Sequence, residues 1–349
     1  MVSPVWFPVP PGRYGGIEAI VSLLTEGLVE RGVDVTLFAS GDSTTSADHV
    51  HVFEEAPSER IGETFWELNH ALSCLTRLDD FDLVHDHTGL LGLTLFGLTG
   101  APVVHTVHGP LTDVPGDMYR VACGVTRNVG LVSLTLAQRR PLPSLPWLAN
   151  IANAIELDRY PFDPRPGDGL LFLGRMSPDK GAHAAIEIAR RTGRPLRIAA
   201  KCREPEEQAY FDREIRPHLG DGVEYLGEVP HEEKCRLLAE AHAVLVPIEW
   251  EEPFGLVMVE AMASGTPPIA LRRGSVPEVI DHGRTGLIAD DLAEMAAAVD
   301  RAGDLDPLEL RREAAERFST ERMVDAHLAA YERLLASRTG TRRRLAIAG

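Results

Sequence analysis

The stretch "AVLVPIEWEEPFGLVMVEAMASGTPPIAL", residues 243–271, holds two short apolar runs separated by an apolar segment of helical length. The runs 243–248 and 267–271 have the length of buried strands. The segment between them predicts a helix that begins near Phe254 or Gly255, just after Pro253. Apolar side chains lie on almost every face of this helix, so we expect it to be buried. A strand, a buried helix and a second strand predict part of a parallel sheet covered by helices.

The same alternation extends outward from this stretch in both directions. It predicts strands at 33–40, 81–87, 102–108, 170–175, 195–201 and 223–229, with helical or apolar segments between them. Pro-rich stretches at 139–146 and 160–169 mark a junction between two such series. A chain of 349 residues also exceeds the roughly 250–300 at which a single core stops growing.

The sequence therefore predicts an α/β protein with two doubly wound, Rossmann-like parallel-sheet domains that face each other across a cleft. We place the first domain at residues 1–152 and the second at 153–318. Residues 319–349 are predicted to form a C-terminal helix that returns to the first domain, followed by a tail.

Composition limits the classes of partner. The chain has 35 basic and 52 acidic residues, and its net charge of -17 repels nucleic acid and anionic membranes. Its basic patch, "RTGTRRR" at 338–344, is at least as consistent with a solvated tail as with a binding site. No apolar run is long enough to span a bilayer, and the N-terminus lacks the pattern of a signal peptide, so we expect a soluble, cytoplasmic protein.

The sequence gives little support for a metal site. The four cysteines are widely spaced and form no C-x-x-C pair. His85 and His87 lie on one face of a predicted strand, but Asp86 points the other way and no third ligand is evident. We therefore expect neither a metal nor another cofactor.

The loop "GRMSPDKG" follows the strand 170–175 and carries two cations, Arg175 and Lys180. Ligands of such sheets bind at the carboxyl ends of the strands. Ser177 or Asp179 is expected to cap the next helix, whose free N–H groups and the two cations would bind a diphosphate. Two surface cations beside a turn are an equally good interpretation of the spacing alone.

Glu252 lies just before the buried helix of the opening stretch, and Glu260 lies inside it. An unpaired buried carboxylate is costly. These two could accept hydrogen bonds from vicinal hydroxyl pairs of a sugar and a ribose. The alternative is a pair of structural ion pairs with Arg272 or Arg273.

The sequence resembles family 4 retaining glycosyltransferases of the GT-B fold over nearly its whole length. The similarity includes "PIEWEEPFGLVMVEAMASGTPPIALRRGSVPEVIDHGRTGLIADD" with the E-x7-E element at Glu252 and Glu260. It also includes "FLGRMSPDKG", "PGRYGGIE", "LVERGVDVTLFA", "FDLVHDH", "TVHG", "YLGEV" and "KCRLLAEAHAVLVP". The resemblance implies a hexosyltransferase that moves a sugar from a nucleotide-diphosphate sugar, with UDP- or GDP-sugars expected first, to a hydroxyl acceptor without a metal.

The resemblance also implies roles for individual residues. Arg175 and Lys180 would bind the diphosphate, Glu260 the ribose, and Glu252 with His108 the transferred sugar. The remaining donor-binding positions implied by the family are Gly15, Gly16, Gly227, Val229, Phe254, Gly255 and Leu256. Two other functions remain open at this point: a nucleotide-sugar-binding protein or partner subunit without transfer activity, and a nucleotide-sugar epimerase.

One departure from the family lies at the N-terminus. Only six residues precede "FPVPPGRYGG", where the family usually has a complete, central first strand. Either the start of the chain is misassigned, or the sheet of the first domain is shortened at its middle.

Overall fold

A computed structural model describes residues 1–162 and 167–345, with 338–345 described by their backbone alone. The chain divides into two compact units. Unit 1 comprises residues 1–11, 15–154 and the C-terminal segment from Thr320, and unit 2 comprises Gly12–Tyr14 and Ile155–Ser319. The domain boundaries that we place after residues 152 and 318 stay predictions, and the sequence does not predict that Gly12–Tyr14 belongs to unit 2. The basic patch at 338–344 and part of the Pro-rich stretch 160–169 lie outside the residues whose side chains are described.

The helices and strands alternate along most of the chain. The strands are β1 (Thr36–Phe38), β2 (Asp48–Val50), β3 (Val84–Asp86), β4 (Val103–Thr106), β5 (Val129–Ser133), β6 (Trp147–Asn150), β7 (Leu170–Arg175), β8 (Leu196–Lys201), β9 (Val223–Gly227), β10 (Ala243–Val246), β11 (Pro268–Leu271) and β12 (Leu287–Ala289). The helices are α1 (Gly16–Glu30), α2 (Thr64–Leu75), α3 (Leu90–Gly97), α4 (Asp113–Val125), α5 (Leu136–Arg139), α6 (Ala182–Thr192), α7 (Pro205–Tyr210), α8 (His231–Glu240), α9 (Leu256–Ala263), α10 (Val276–Val279), α11 (Leu292–Arg301), α12 (Pro307–Arg317) and α13 (Thr320–Leu345).

Unit 2 is built on one six-stranded parallel sheet with the order β12-β11-β10-β7-β8-β9. Strand β7 lies near its middle, and the order reverses direction there. Its apolar strands pack against α6 and α11, and the core includes Phe172, Ile186, Ile198, Leu245 and Met295. A parallel sheet binds ligands beside the carboxyl ends of its strands, where the strand order reverses. The loop that follows β7 is therefore the first place to look for a site.

Unit 1 contains the parallel sheet β3-β4-β5-β6 and the parallel pair β1-β2. Val2 joins them, because it forms parallel bridges with both Phe38 of β1 and Asp86 of β3. The N–H of Val2 donates to the carbonyl of His85 at 2.8 Å, and the N–H of Ser3 donates to the carbonyl of Phe38 at 3.0 Å. Residues around Val2 thus occupy the position between β1 and β3, at the middle of the sheet.

Helix α13 packs against α1 within unit 1, and Arg31 of α1 forms an ion pair with Asp325 of α13. The buried residues Val324, His327 and Ala330 form its inner face. Among the described residues, no helix is both long enough and apolar enough to cross a membrane.

Candidate active-site residues

The carboxyl end of β7 carries the two cations that the sequence singles out. Arg175 is the last residue of the strand, and Lys180 ends a 3₁₀ turn, Pro178–Lys180, that leads into α6. The guanidinium of Arg175 lies 3.5 Å from the carboxylate of Asp179. The expected cap was wrong: Gly181 occupies the N-cap position of α6, and neither Ser177 nor Asp179 caps it.

Lys180 is held by the loop that follows β10. Its Nζ lies 2.5 Å from Oε2 of Glu252 and 4.4 Å from the centre of the Trp250 ring. The indole N–H of Trp250 donates to the same carboxylate at 2.9 Å. The side chains of Lys180 and Glu252 are 19% and 12% exposed, so this pair is partly withdrawn from water. The structure therefore joins two of the predicted site residues directly.

Helix α9 begins beside this pair. Gly255, its N-cap residue, has a φ of 77°, a left-handed conformation that favours glycine. Leu256 opens the helix, whose first N–H groups have no acceptor within it. The buried Phe254 accepts a hydrogen bond at its carbonyl from the Ser275 hydroxyl at 2.8 Å. The loop and helix start thus present N–H groups next to Glu252, at the carboxyl edge of the sheet.

Glu260 is buried inside α9 and has two polar partners. Lys234 Nζ donates to its Oε1 at 2.5 Å, and the Tyr160 hydroxyl donates to the same oxygen at 2.8 Å. Burial alone would raise the pKa of Glu260, but the charge of Lys234 and these hydrogen bonds outweigh it and hold the pKa below its usual value. Glu252 and Glu260 thus both form ion pairs, as the alternative interpretation expects, but their partners are Lys180 and Lys234. The expected partner Arg272 instead pairs with Asp290 at 2.6 Å.

Gly227 and Val229 lie at the carboxyl end of the edge strand β9. Between them, Glu228 accepts a hydrogen bond from the backbone N–H of Tyr14 at 3.1 Å and pairs with Arg203 at 2.6 Å. This hydrogen bond attaches the short segment Gly12–Tyr14 to unit 2.

In unit 1, Gly15 and Gly16 form the start of α1. Gly15 has a φ of 145°, and a Cβ there would lie 2.7 Å from the side chain of Pro11. A Cβ on Gly16 would meet no heavy atom within 4 Å. Packing within the chain therefore requires a glycine at position 15 but not at position 16.

His108 follows β4 in unit 1 and lies in a group of aromatic rings that we call the histidine cluster: His85, His87, His108 and His327. The Nε2 of His108 lies 3.0 Å from Nδ1 of His87, and the two rings stack with centroids 5.2 Å apart. Burial lowers the pKa of His108 to about 3, so its ring is neutral at neutral pH. Burial likewise lowers the pKa values of His85 and His87 well below the usual range, with a further contribution from neighbouring histidines.

His85 and His87 do lie side by side, as their spacing predicts, and Asp86 instead contacts His105 at 2.6 Å. Within the described residues, no group of three or more His, Cys, Asp or Glu side chains is arranged to hold a metal ion. The four cysteines are free thiols.

Comparisons with known proteins identify the family. Residues 167–303 match the model for Glycosyl transferases group 1, and residues 14–155 match the model for Glycosyltransferase Family 4. The chain is 31% identical to a glycogen synthase of Mycobacterium tuberculosis, over 87% of this chain and 86% of that protein. The chain is a family 4 glycosyltransferase. It is also 28% identical to a D-inositol 3-phosphate glycosyltransferase of Acidothermus cellulolyticus, over 96% of this chain and 89% of that protein.

Solved structures agree with this assignment. A glycosyltransferase involved in avilamycin A biosynthesis is 28% identical to this glycosyltransferase, with a TM-score of 0.70 over 96% of this chain and 97% of that one. An Anabaena protein in complex with UDP and glucose shares the fold at 18% identity, with a TM-score of 0.74 over 95% and 99% of the two chains. These comparisons confirm the resemblance, the GT-B fold class and the expectation of an enzyme.

Sequence reasoning missed several residues that contact the predicted site residues. Lys234 and Tyr160 hold Glu260, Trp250 holds Glu252, and His87 holds His108. Trp250 could have been identified from the sequence, because it lies two positions before Glu252 in a loop that follows a strand. Lys234 and Tyr160 could not have been, since nothing in the local pattern of either segment indicates a buried partner in α9.

Proposed function

We propose that this glycosyltransferase moves a sugar, with retention of configuration and without a metal, from a UDP- or GDP-sugar to a hydroxyl acceptor. Unit 2 binds the donor in this proposal, and unit 1 provides the acceptor side. The observation that carries the proposal is the grouping of Arg175, Lys180, Glu252 and the N-terminus of α9 at one carboxyl edge of the unit 2 sheet.

The charges of this group fit the departure of a nucleoside diphosphate. Breaking the sugar–phosphate bond develops negative charge on the diphosphate, and fixed cations and helix N-termini stabilise such charge without reorganising. Arg175 and Lys180 supply two positive charges there, which is the role that a metal ion has in other transferases. In a retaining reaction on one face of the sugar, the acceptor proton passes to a phosphate oxygen, so the chain needs no dedicated base.

The contact between Lys180 and Glu252 suggests how donor binding proceeds. A diphosphate that binds Lys180 competes with Glu252 for the ammonium group. Glu252 then becomes available to accept hydrogen bonds from hydroxyls of the transferred sugar. Glu260 is already fixed by Lys234 and Tyr160, so its second oxygen, Oε2, is the atom that we assign to the ribose.

The names of the relatives support the reaction class but not one acceptor. They include a glycogen synthase, D-inositol 3-phosphate glycosyltransferases and a MMP alpha-(1->4)-mannosyltransferase. These proteins differ in acceptor and product, and this chain is at most 31% identical to those named here.

A donor panel tests the proposal. Thermal shifts with UDP-, GDP-, ADP- and dTDP-sugars should show one preferred nucleotide, since ligand at a hundred times its Kd adds about 2.7 kcal/mol to stability. Transfer to hydroxyl acceptors is then followed by NMR of the anomeric proton, with and without EDTA. Retained configuration that is unaffected by EDTA supports the proposal. Inversion, loss of transfer with EDTA, isomerised donor without acceptor, or binding without transfer would each contradict it.

Gly16→Ala tests whether the start of α1 meets the donor. Because a Cβ there has open space, and alanine is preferred to glycine in helices by about 1 kcal/mol, the variant should be as stable as the natural protein. If donor phosphates approach this backbone, the methyl group should raise the donor KM about tenfold or more. Unchanged KM in a stable variant would exclude a close approach. Gly15→Ala is the contrasting variant, expected to lose stability because its Cβ meets Pro11.

A further inference from the structure

Glu260 of α9 receives hydrogen bonds from two other elements of unit 2. Lys234, on α8, donates from Nζ to Oε1 of Glu260 at 2.5 Å. Tyr160 follows the 3₁₀ turn Leu157–Arg159 and donates its hydroxyl to the same oxygen at 2.8 Å. The direction of each bond is determined, because an ammonium group can only donate and an ionised carboxylate can only accept. All of these residues belong to unit 2.

These two bonds occupy one oxygen of the carboxylate and leave the other. An ionised carboxylate has about four lone-pair sites, two on each oxygen. Lys234 and Tyr160 occupy those of Oε1, and no described residue donates a hydrogen bond to Oε2. Two acceptor sites therefore remain on Oε2, on a side chain that is only 6% exposed. The vicinal diol of a ribose has the same number of hydroxyl donors.

We propose that Lys234 is a positioning residue that, together with Tyr160, holds Oε1 of Glu260 and leaves Oε2 to the ribose diol, so that the chain selects ribonucleotides over 2′-deoxyribonucleotides. The presence of a ribose at Glu260 rests on the proposed function. The position of the carboxylate depends only on contacts within unit 2. Lys234 does not need to touch the nucleotide for this role.

Tyr160 is itself fixed by a third element, α12. Arg311 of this helix donates from Nη1 to the carbonyl of Tyr160 at 2.8 Å. The same nitrogen donates at 2.5 Å to the carbonyl of Ala263, the last residue of α9. One guanidinium therefore joins the backbone of Tyr160 to the helix that carries Glu260. The hydroxyl of Tyr160 is thus held at a defined place beside Oε1.

The charges around Glu260 decide whether its carboxylate is ionised. Burial would raise its pKa, but the charge of Lys234 and the hydrogen bonds from Lys234 and Tyr160 hold the pKa below its usual value. The other titratable groups beside this site are His231 and Cys235 on α8, Arg159 on the turn before Tyr160, and Arg311 on α12. Burial lowers the pKa of His231 to about 4 and raises that of Cys235 to about 11, so both are neutral at neutral pH. Without Lys234, burial dominates and the pKa of Glu260 rises.

Four variants separate the effect of the cation from that of the fold. Lys234→Met removes the charge and keeps a long side chain, while Lys234→Arg keeps both a charge and a donor. Tyr160→Phe removes the hydroxyl and keeps the ring. Arg236→Met is the matched control, because Arg236 is an exposed cation of the same helix that pairs with Glu233 and Glu240.

Calorimetric titrations with UDP, GDP and ADP, and with their 2′-deoxy counterparts, give the ratio of the deoxy Kd to the ribo Kd. Ionisation of the diphosphate cancels in this ratio, so its pH dependence reports the carboxylate. We expect a ratio of about tenfold or more in the natural protein, the equivalent of one hydrogen bond to a charged group, at all pH values between about 5.5 and 8. Lys234→Arg and Arg236→Met should give the same ratio.

The two remaining variants should lower the ratio in different ways. In Lys234→Met it should fall most at low pH, to about one near pH 5.5, because a carboxyl group with a raised pKa is protonated there and accepts fewer hydrogen bonds. In Tyr160→Phe the ion pair remains, so the ratio should be smaller than in the natural protein but independent of pH.

A role of Lys234 in stability alone predicts a different result. Lys234→Met would then have a lower melting temperature and an unchanged ratio, which would overturn the proposal. If Lys234→Met does not fold, the natural protein and Tyr160→Phe still decide: a ratio near one in the first, or an unchanged ratio in the second, overturns it. No binding of any of these nucleotides to the natural protein would instead contradict the proposed function.

Discussion

Unit 1 is expected to lose about 6 kcal/mol of unfolding free energy when the pH falls from 7.5 to 5.5. Burial strongly lowers the folded-state pKa values of five histidines of unit 1, namely His70, His85, His87, His108 and His327. It lowers the pKa of His49 less. Burial lowers the pKa of His70 to about 4, that of His108 to about 3 and that of His327 to about 4. The unfolded histidines titrate near 6.5, so below that pH the unfolded state binds more protons and stability falls.

The size of the effect follows from the number of groups. Each histidine that stays neutral when folded costs about 1.4 kcal/mol over this interval, or about 7 kcal/mol for the five. Glu18 acts in the opposite direction: burial raises its pKa to about 8, so protonation of Glu18 adds about 2–3 kcal/mol to the unfolding free energy as the pH falls. The buried N-terminal ammonium of Met1, with a pKa of about 6, adds a loss of about 2 kcal/mol. The histidines therefore decide the sign, and the loss is comparable with the total stability of about 5–15 kcal/mol of a typical domain.

Urea unfolding at several pH values, read by amide exchange in β3 and β4, measures this loss. His327→Leu should reduce it by about 1 kcal/mol, since this side chain is buried and its Nε2 has no hydrogen-bond partner among the described residues. Glu18→Gln should increase it by about 2–3 kcal/mol. His51→Gln, at an exposed position, is the control and should leave it unchanged. Equal pH dependence in the natural protein and His327→Leu would show that the cluster is already solvated.

Much of the fold follows from periodicity. The predicted strand 170–175 matches β7, and the predicted helix in the opening stretch starts within two residues of α9. Most other strands are shorter than their apolar runs, because a strand ends where its neighbour stops pairing, and the run alone does not contain that information. The position of Met1–Ser3 between β1 and β3 could not be predicted either: three residues have no periodicity, and only the two neighbouring strands define their place.

The candidate site likewise contains residues that the sequence predicts and residues that it does not. Arg175, Lys180 and Glu252 could be found because each lies at or just after the end of a strand, and the strand ends meet at one edge of a parallel sheet. Their partners could not, since Lys180 and Glu252 are 72 residues apart, and Tyr160 and Glu260 are 100 apart. A single sequence indicates which carboxylates need a partner, but the partner is chosen by packing between distant elements.

Replacing the cations after β7 is expected to have the largest effect on transfer. Arg175→Ala and Lys180→Met should each lower kcat/KM by about 10²–10³, the usual cost of removing one preorganised group from a developing negative charge. Arg272→Ala is the matched control, because Arg272 follows β11, which β10 separates from β7, and is paired with Asp290 instead of a residue of the proposed diphosphate site. Initial rates with a saturating acceptor, measured against donor concentration, give the values.

Lys180 has a second role that must be separated from the first. Its loss leaves Glu252, which is only 12% exposed, without its cation, so Lys180→Met should also destabilise unit 2 by about 1–3 kcal/mol. Adding Glu252→Gln removes the unpaired charge and should restore most of that stability. Transfer should stay as low as in Lys180→Met, because the missing group is the cation that stabilises the leaving diphosphate. Recovery of transfer along with stability would mean that Lys180 serves only to neutralise Glu252, and the diphosphate would then have to be bound elsewhere.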